Sequence, residues 1–287
     1  MLKSLIVSSR PRQWYKNVLL FVGVVFSANI LNASMWAMAM LAFVYFCMFS
    51  ASEYLINDII DRQRDKAHPI KSRRPIASGR LKVGHALLVA LLLIAISLVG
   101  AYFTLPIEFF IISASYLVLV ALYSFALKHL VIADIMLIAV GFVIRAAAGA
   151  LAVEVTVSSW LIVCTFLLAL FLAIQKRRSE LVALAGEAEM HRPNLAEYSI
   201  RLLEQMGTII TAALIVSYLL YTASVENEAM LITAPFAIYG LFRYLYLTHQ
   251  KGMSPEPEVI FRDRSMLVNL AIWAVIVVAV MLTEEPG

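Results

Sequence analysis

The chain has 287 residues, of which 62% are hydrophobic and only 15% charged, and its formal net charge is +4. An ordinary soluble domain carries about 25% charged residues, so this composition and a mean hydropathy of +0.86 exclude that class. A transmembrane β-barrel would show short segments of alternating polarity instead of long apolar runs. The sequence therefore predicts an all-α membrane protein.

Apolar runs long enough to cross a bilayer, about 20 residues each, recur along the whole chain. They predict a single domain, residues 1–287, that is a bundle of nine transmembrane helices. The first run is the least regular, because its apolar core from Val18 to Leu31 is short. The predicted spans are approximately 16–33, 36–56, 84–104, 106–126, 131–152, 159–175, 207–224, 229–247 and 266–283.

Lysine and arginine occur in the loops on one side of these spans and in none of the loops on the other side, which carry glutamates such as Glu108 and Glu154. Because short basic loops stay in the cytoplasm, the N-terminus is expected to be cytoplasmic and the C-terminus outside. This predicts an integral protein of the cytoplasmic membrane of a prokaryote. The alternative for the first run, a cleaved signal peptide, would invert every later loop.

The N-terminal stretch Arg10 to Asn17 reads RPRQWYKN and leads into the first predicted span. Its Trp14 and Tyr15 suit a membrane interface. Lys16 is a candidate phosphate ligand at that interface.

Acidic residues cluster where the second span ends, in the segment Asn57-Asp58-Ile-Ile-Asp61-Arg-Gln-Arg-Asp65. On a helix, residues three or four apart share a face, so these carboxylates would form one column. Their mutual repulsion predicts a positive group between them. Hard oxygen ligands of this kind suit Mg²⁺ shared with substrate phosphates. The alternative is a solvated helix end with ordinary surface charge.

The loop that follows is strongly basic, and its prolines and glycine predict turns rather than a continuous helix. A topology signal with lipid headgroup contacts would explain the basic residues but not the three aspartates beside them. Acid that holds a metal next to base that holds phosphate is what a Mg²⁺-bound diphosphate requires. The loop residues predicted to contact phosphate are Lys71, Arg73, Arg74 and Arg80.

Charged residues inside or beside later spans are functional candidates, because charge in a bilayer is costly. Asp134, just inside the fifth span, is expected to pair with Lys128 or Lys176 or to bind substrate. Arg145 is interpreted as structural and as reaching outward toward Glu154.

Small residues follow Arg145, and the run 145–150 predicts close helix contact. For Arg243, snorkelling and phosphate binding remain equal alternatives. Cys47 and Cys164 are expected to be apolar packing residues. The further substrate-binding candidates near the cytoplasmic side are Tyr123, Lys128, Lys176, Arg177, Glu180 and Arg262.

The NDxxDxxxD motif at 57–65, after the second of nine spans, resembles the UbiA superfamily of intramembrane prenyltransferases over the whole chain. Within it, the chain is most similar to the decaprenyl-phosphate phosphoribosyltransferases. The segments that carry this similarity are RPRQWYKN at 10–17, HPIKSRRPIASG at 68–79, Tyr123 with 127–129, KRRSEL at 176–181 and EPE with RDR at 256–264.

The resemblance implies a UbiA-like bundle, Mg²⁺ as cofactor, Asp58 and Asp61 as catalytic residues, and Asn57, Asp58, Asp61 and Asp65 as metal ligands. It also implies substrate contacts at Asn17 and Tyr54. The aromatic prenyltransferases of the superfamily carry a second aspartate-rich motif after the sixth span. Here that place reads Lys176-Arg177-Arg178 with the single acid Glu180, so a second carboxylate-bound metal is not expected.

The sequence therefore favours transfer of 5-phosphoribose from phosphoribosyl diphosphate to a polyprenyl phosphate at the cytoplasmic face. The acceptor phosphate is already ionised, so no strong general base is required. The main alternative is prenyl transfer from a prenyl diphosphate to an aromatic acceptor. A transporter would place charge near the midplane. No nucleic-acid partner is predicted, and a homo-oligomer is left open.

Overall fold

The computed structural model describes residues 1–27, 30–68, 70–125, 127, 130–184, 195, 197–225, 227–250 and 262–283. All regular elements in this part of the chain are helical, as the composition predicts. The α-helices are α1 (Leu2–Ser8), α2 (Val22–Val25), α3 (Ala33–Ile60), α4 (Arg62–Ala67), α5 (Val83–Thr104), α6 (Ile107–Phe125), α7 (Ala133–Ala152), α8 (Ser159–Leu184), α9 (Ile200–Ser224), α10 (Ala234–His249) and α11 (Arg264–Thr283). Three 3₁₀ helices cover Pro11–Phe21, Lys71–Arg73 and Glu228–Thr233.

Eight helical segments among the described residues are long and apolar enough to cross a membrane. They correspond to the second to ninth predicted spans. The first predicted span differs, because its described part is the 3₁₀ helix Pro11–Phe21 followed by the short α2. A 3₁₀ helix of eleven residues is unusual, since most such runs end after three or four.

Close backbone packing accompanies this unusual segment. A Cβ atom added to Gly149 would lie 2.0 Å from the carbonyl oxygen of Leu20, and one added to Gly23 would lie 2.6 Å from the Cα of Ala150. Small residues let helix backbones approach in a membrane. The predicted role of the small-residue run 145–150 is therefore confirmed.

The chain forms two compact units. The first comprises residues 1–24, 31–124 and 144–156, and its core contains Phe46, Phe49, Phe109 and Tyr116. The second comprises residues 25–30, 125–143 and 157–287, with a core cluster around Ile174.

The basic loop after α4 packs against α3 within the first unit. Ile76 and Leu81 are fully buried beside Leu55 of α3. Gly79 adopts φ +77°, a left-handed conformation that glycine enters without a steric cost. The backbone N–H of Leu81 then donates to the carbonyl of Pro75 at 2.9 Å. This turn holds the preceding residue, Arg74, against the C-terminal end of α3.

Candidate active site

The acidic column of α3 continues past the end of that helix. Residue Asp61 ends α3 with φ −84° and ψ 3°, yet its N–H still donates to the carbonyl of Asn57 and its own carbonyl accepts from Asp65. Asp58 and Asp65 are buried, with side chains 3% and 5% exposed, whereas Asn57 and Asp61 are half-buried. The predicted spacing therefore survives a break in the helix.

Arg74 lies between the two buried acids. Its Nη1 donates to Asp58 Oδ1 at 3.2 Å and to Asp65 Oδ2 at 2.7 Å. The prediction that a positive group separates these carboxylates is confirmed. One guanidinium nitrogen shared by two carboxylates compensates charge that would otherwise destabilise the buried pair.

Arg10 is a second cation on Asp58, and it is not among the residues that the sequence predicts for the site. Its Nη2 donates to Asp58 Oδ1, and its guanidinium carbon lies 4.9 Å from the centre of the Tyr54 ring. The Arg10 backbone adopts φ +47°, a left-handed conformation that costs about 1–3 kcal/mol for a residue with a side chain. The contacts of Arg10 with Asp58 and Tyr54 hold the backbone in this strained conformation.

The remaining basic residues of the loop are arranged around this cluster. Arg73 and Arg80 are exposed and Lys71 is half-buried. Arg80 Nε donates to Ser78 Oγ at 3.0 Å, and its Nη2 donates to the carbonyl of Arg73. His68 Nδ1 accepts from the backbone N–H groups of residues 70 and 71. The histidine therefore shapes the turn.

The acids do not enclose a metal by themselves. Within the described residues, no three His, Cys, Asp or Glu side chains converge into a group that could hold an ion. Asp58 and Asp65 point toward Arg74 instead. Mg²⁺ usually takes one or two carboxylates and completes its shell with water and substrate phosphates. This donor set fits such an open site, and the four predicted ligands stay a prediction.

A buried polar cluster, Asn17–Arg145–Tyr116–Glu53, lies deeper in the first unit and corrects the interpretation of Arg145. Arg145 does not reach toward Glu154. Its Nε donates to Asn17 Oδ1 at 3.0 Å and its Nη2 donates to the Tyr116 hydroxyl at 2.6 Å. Tyr116 in turn donates to Glu53 Oε2 at 2.9 Å. A charge inside a helix bundle needs such partners, and the cluster supplies them.

Asn17, for which the resemblance implies a substrate contact, lies inside the first unit. It is completely buried, and its Nδ2 donates to Ser50 Oγ at 3.3 Å and to Cys47 Sγ at 3.4 Å. Both ends of its amide are therefore used to join the N-terminal segment to α3 and to Arg145. Its predicted contact with substrate stays a prediction.

In the second unit, Asp134 pairs with Arg177, and the predicted partner Lys128 lies outside the described residues. Arg177 Nε donates to Asp134 Oδ2 at 2.9 Å and its Nη1 donates to Glu180 Oε2 at 2.7 Å. The Tyr198 hydroxyl donates to Asp134 Oδ1 at 2.9 Å. Burial raises the pKa of Tyr198 to about 12, so this phenol stays protonated and remains a donor. Lys176 is exposed.

The other predicted residues differ in their contacts and in their exposure. Arg243 makes two hydrogen bonds to Asp263, at 3.1 and 2.8 Å, and both alternatives for it, snorkelling and phosphate binding, stay predictions. Arg262 is exposed, while Lys16, Tyr54 and Tyr123 are half-buried. Lys128 lies outside the described residues.

Comparisons with known proteins agree with this architecture. The model of the UbiA prenyltransferase family matches residues 17–282. A decaprenyl-phosphate phosphoribosyltransferase of Mycolicibacterium smegmatis is 33% identical over 291 aligned positions, which cover 95% of this chain and 91% of the relative. One from Corynebacterium glutamicum is 30% identical, over 96% of this chain and 85% of its own length.

Among solved structures, a UbiA homolog from Archaeoglobus fulgidus with bound DMAPP and Mg²⁺ superposes with a TM-score of 0.74. The superposition covers 98% of this chain and 100% of the homolog, at 19% sequence identity. At that identity the likeness concerns the fold.

Proposed function

This chain belongs to the UbiA prenyltransferase family, and we propose that it transfers 5-phosphoribose from phosphoribosyl diphosphate to a polyprenyl phosphate of the decaprenyl type. The products are polyprenyl-phosphoryl-5-phosphoribose and diphosphate. The observation that carries this proposal is the similarity to decaprenyl-phosphate phosphoribosyltransferases over nearly the whole length of both chains.

The arrangement around Asp58 supports a diphosphate leaving group. Arg10 and Arg74 already stand against Asp58 and Asp65. A bound metal would compensate the negative charge of these acids and stabilise the negative charge that develops on the departing diphosphate. Both arginines then become donors for phosphate oxygens, for which the planar guanidinium is well suited. The residues proposed to hold Mg²⁺ are Asn57, Asp58, Asp61 and Asp65.

The exposed basic residues of the loop provide further phosphate contacts. Arg73 and Arg80 present their charge to solvent, and Lys71 is half-buried beside them. Phosphoribosyl diphosphate carries a diphosphate and a separate 5-phosphate, and the acceptor adds one more phosphate. A site for all three needs more cations than one diphosphate requires, which agrees with the basic loop.

Beside Lys176 in the second unit, the described acids are already paired within the chain. Asp134 and Glu180 are both held by Arg177, so their charge is partly compensated within the chain. Lys176 is the exposed cation beside them. We assign Lys176 to phosphate binding, and Tyr123, Lys128 and Arg262 remain proposed substrate contacts.

The proposed topology has nine spans in one domain. The N-terminal 3₁₀ helix and α2 belong to the first span, and the other eight are the long apolar helices. From the basic loops we infer that the N-terminus and the active site are cytoplasmic and that the C-terminus is outside. The polyprenyl tail of the acceptor then stays in the lipid while its phosphate reaches the cytoplasmic interface.

The test uses purified protein in detergent with radiolabelled phosphoribosyl diphosphate, Mg²⁺ and decaprenyl phosphate. We expect label in the lipid fraction, with release of diphosphate. A parallel reaction contains a prenyl diphosphate and an aromatic acid. Prenylation of the aromatic acid without labelled lipid in the first reaction would contradict the proposal and favour the prenyl-transfer alternative.

A further inference from the structure

We propose that Glu53 is a specificity-determining residue that accepts hydrogen bonds from the ring hydroxyls of the donor's pentose. This inference deepens the proposed function and depends on a sugar donor. Glu53 belongs to the buried polar cluster below the acidic column, and its two carboxylate oxygens differ. Oε2 accepts from Tyr116 at 2.9 Å, while Oε1 accepts no hydrogen bond from the residues that the structure describes.

The other members of the cluster are fully enclosed, so Glu53 is where the cluster opens. Tyr116 is 1% exposed, Arg145 is 8% exposed and Asn17 is buried completely. Glu53, in contrast, is half-buried. Partial burial removes water from a carboxylate oxygen, and this loss of hydration costs free energy when no hydrogen bond replaces it. A ligand with hydroxyl groups would supply that hydrogen bond, and an apolar chain would not.

The direction of Glu53 is set by the helices that it contacts. Phe49 lies four residues before Glu53 on α3 and is completely buried against Phe46. Phe46 in turn lies 5.3 Å from the Tyr116 ring. Residues four apart share a helix face, so Glu53 belongs to the face that meets α6. This face points into the first unit and away from lipid.

The distance from the acidic column suits one sugar ring. Glu53 precedes Asn57 by four residues and Asp58 by five, which is about 6 to 8 Å along a helix that rises 1.5 Å per residue. A pentose attached to a diphosphate at Asp58 would place its 2- and 3-hydroxyls at about this depth. Two adjacent hydroxyls can both donate hydrogen bonds to the carboxylate of Glu53, which only accepts and has four lone-pair positions.

Arg145 and Tyr116 hold this acceptor in place. Tyr116 donates to Glu53 and accepts from Arg145, and the Arg145 guanidinium carbon lies 4.8 Å from the centre of the Tyr116 ring. These two residues are positioning residues, because neither is exposed enough to meet the ligand itself.

A prenyl donor gives the opposite expectation. It carries no hydroxyl next to its diphosphate, so the same carboxylate would face an apolar chain and lose hydration without gaining a hydrogen bond. The presence of Glu53 at this depth therefore favours a sugar donor over a prenyl donor on grounds independent of sequence similarity.

The experiment measures binding of radiolabelled phosphoribosyl diphosphate to the purified protein in detergent with Mg²⁺. Ribose 5-phosphate and 2-deoxyribose 5-phosphate serve as competitors. In the native protein we expect ribose 5-phosphate to compete about tenfold better, as loss of one hydrogen bond to a charged acceptor predicts. Glu53→Gln, which keeps the shape of the side chain, should weaken donor binding about tenfold and reduce the preference between competitors to about twofold or less.

Two further variants make the result specific. Tyr116→Phe removes the hydroxyl that orients Glu53 and should give a smaller loss in the same direction. Glu108→Gln removes an exposed carboxylate at the start of α6 and should leave both measurements unchanged. Unfolding of every variant in detergent is followed alongside, so that binding is compared only between folded proteins.

The outcomes separate this inference from the proposed function. Unchanged donor affinity and an unchanged competitor preference in both Glu53→Gln and Tyr116→Phe would overturn the role of Glu53, even if labelled lipid is still formed. Donor binding that depends on Glu53 without any transfer to decaprenyl phosphate would support the sugar site and contradict the proposed reaction. Absence of donor binding by the native protein would overturn both.

Discussion

Removal of Arg74 should reveal how strongly the two buried acids depend on their shared cation. In the native protein, Arg74 Nη1 lies 2.7 Å from Asp65 Oδ2 and 3.2 Å from Asp58 Oδ1. Arg74→Ala leaves Asp65 without this partner, while Asp58 keeps Arg10. We therefore expect the free energy of unfolding to fall mainly because Asp65 becomes an uncompensated buried charge.

The size of the expected loss in unfolding free energy depends on how deeply Arg74 and Asp65 are buried. Two unit charges 2.7 Å apart attract by about 6 kcal/mol at an effective dielectric constant of about 20, but the loss of hydration offsets most of this. Exposed pairs are worth about 0.2–1 kcal/mol, and breaking a fully buried pair costs about 3–5 kcal/mol. The Arg74 side chain is 30% exposed and that of Asp65 is 5% exposed. We place the cost of Arg74→Ala between these limits, at about 2–3 kcal/mol.

A double-mutant cycle isolates the interaction itself. Asp65→Asn alone should cost about 1 kcal/mol, since it loses a charged hydrogen bond but keeps the shape of the side chain. The double variant should cost about 2 kcal/mol, because the amide carries no charge that needs Arg74. The coupling is then about 1–2 kcal/mol. It is measured from reversible unfolding in mixed micelles with increasing SDS, followed by circular dichroism.

Arg80→Ala provides the matched control for this cycle. Arg80 is a cation of the same loop, and it donates hydrogen bonds to Ser78 and to the carbonyl of Arg73. Its effect should add to that of Asp65→Asn within about 0.5 kcal/mol. Additivity of Arg74→Ala and Asp65→Asn within the same margin would refute the shared-cation arrangement.

Three further predictions concern turnover, a buried ion pair and the pH dependence of stability. Asp61→Asn should lower formation of labelled lipid at least about 100-fold, because it removes a proposed ligand of the metal that stabilises the diphosphate leaving group. The unfolding midpoint should stay unchanged, because the Asp61 side chain is only half-buried. Full activity of this variant would exclude Asp61 from the site. Asp134→Asn should lower the free energy of unfolding by about 2 kcal/mol, because the buried Arg177 loses its fully buried acidic partner and keeps only Glu180; an unchanged midpoint in the SDS titration would contradict this. Burial raises the pKa of Tyr198 from 10.0 to about 12, so the stability from its protonated form is complete below about pH 10 and is lost as the pH rises toward 12. Tyr198→Phe should remove that loss when unfolding at pH 9 and pH 11 is compared, and an identical slope with pH in both proteins would exclude Tyr198 as its source.

The sequence predicts the acidic column well and its cations only partly. The spacing of Asp58, Asp61 and Asp65 is a local property, and the repulsion between them predicts a positive neighbour without naming it. Arg74 is one candidate among eight basic residues in that loop. Its position depends on the burial of Ile76 and on the turn at Gly79, which the local pattern does not specify.

The first span shows where hydropathy becomes ambiguous. The run 16–33 has enough apolar residues to suggest an ordinary membrane helix, yet its described part begins as a 3₁₀ helix. Hydropathy measures transfer into lipid and carries no information about helix type. The close approach of Leu20 to Gly149 is a constraint between distant segments, and only packing reveals it.

By itself, the sequence determined the membrane class, the one-sided distribution of basic residues and the acidic motif with its expected metal. These follow from composition and from spacing within one helix, where each residue is interpreted from its near neighbours. The tertiary structure decided which charges meet. Arg10 reaches an acid 48 residues away and Arg145 reaches an amide 128 residues away. A buried charge must find a partner because burial removes its hydration, but chain folding alone decides which partner comes within hydrogen-bonding distance.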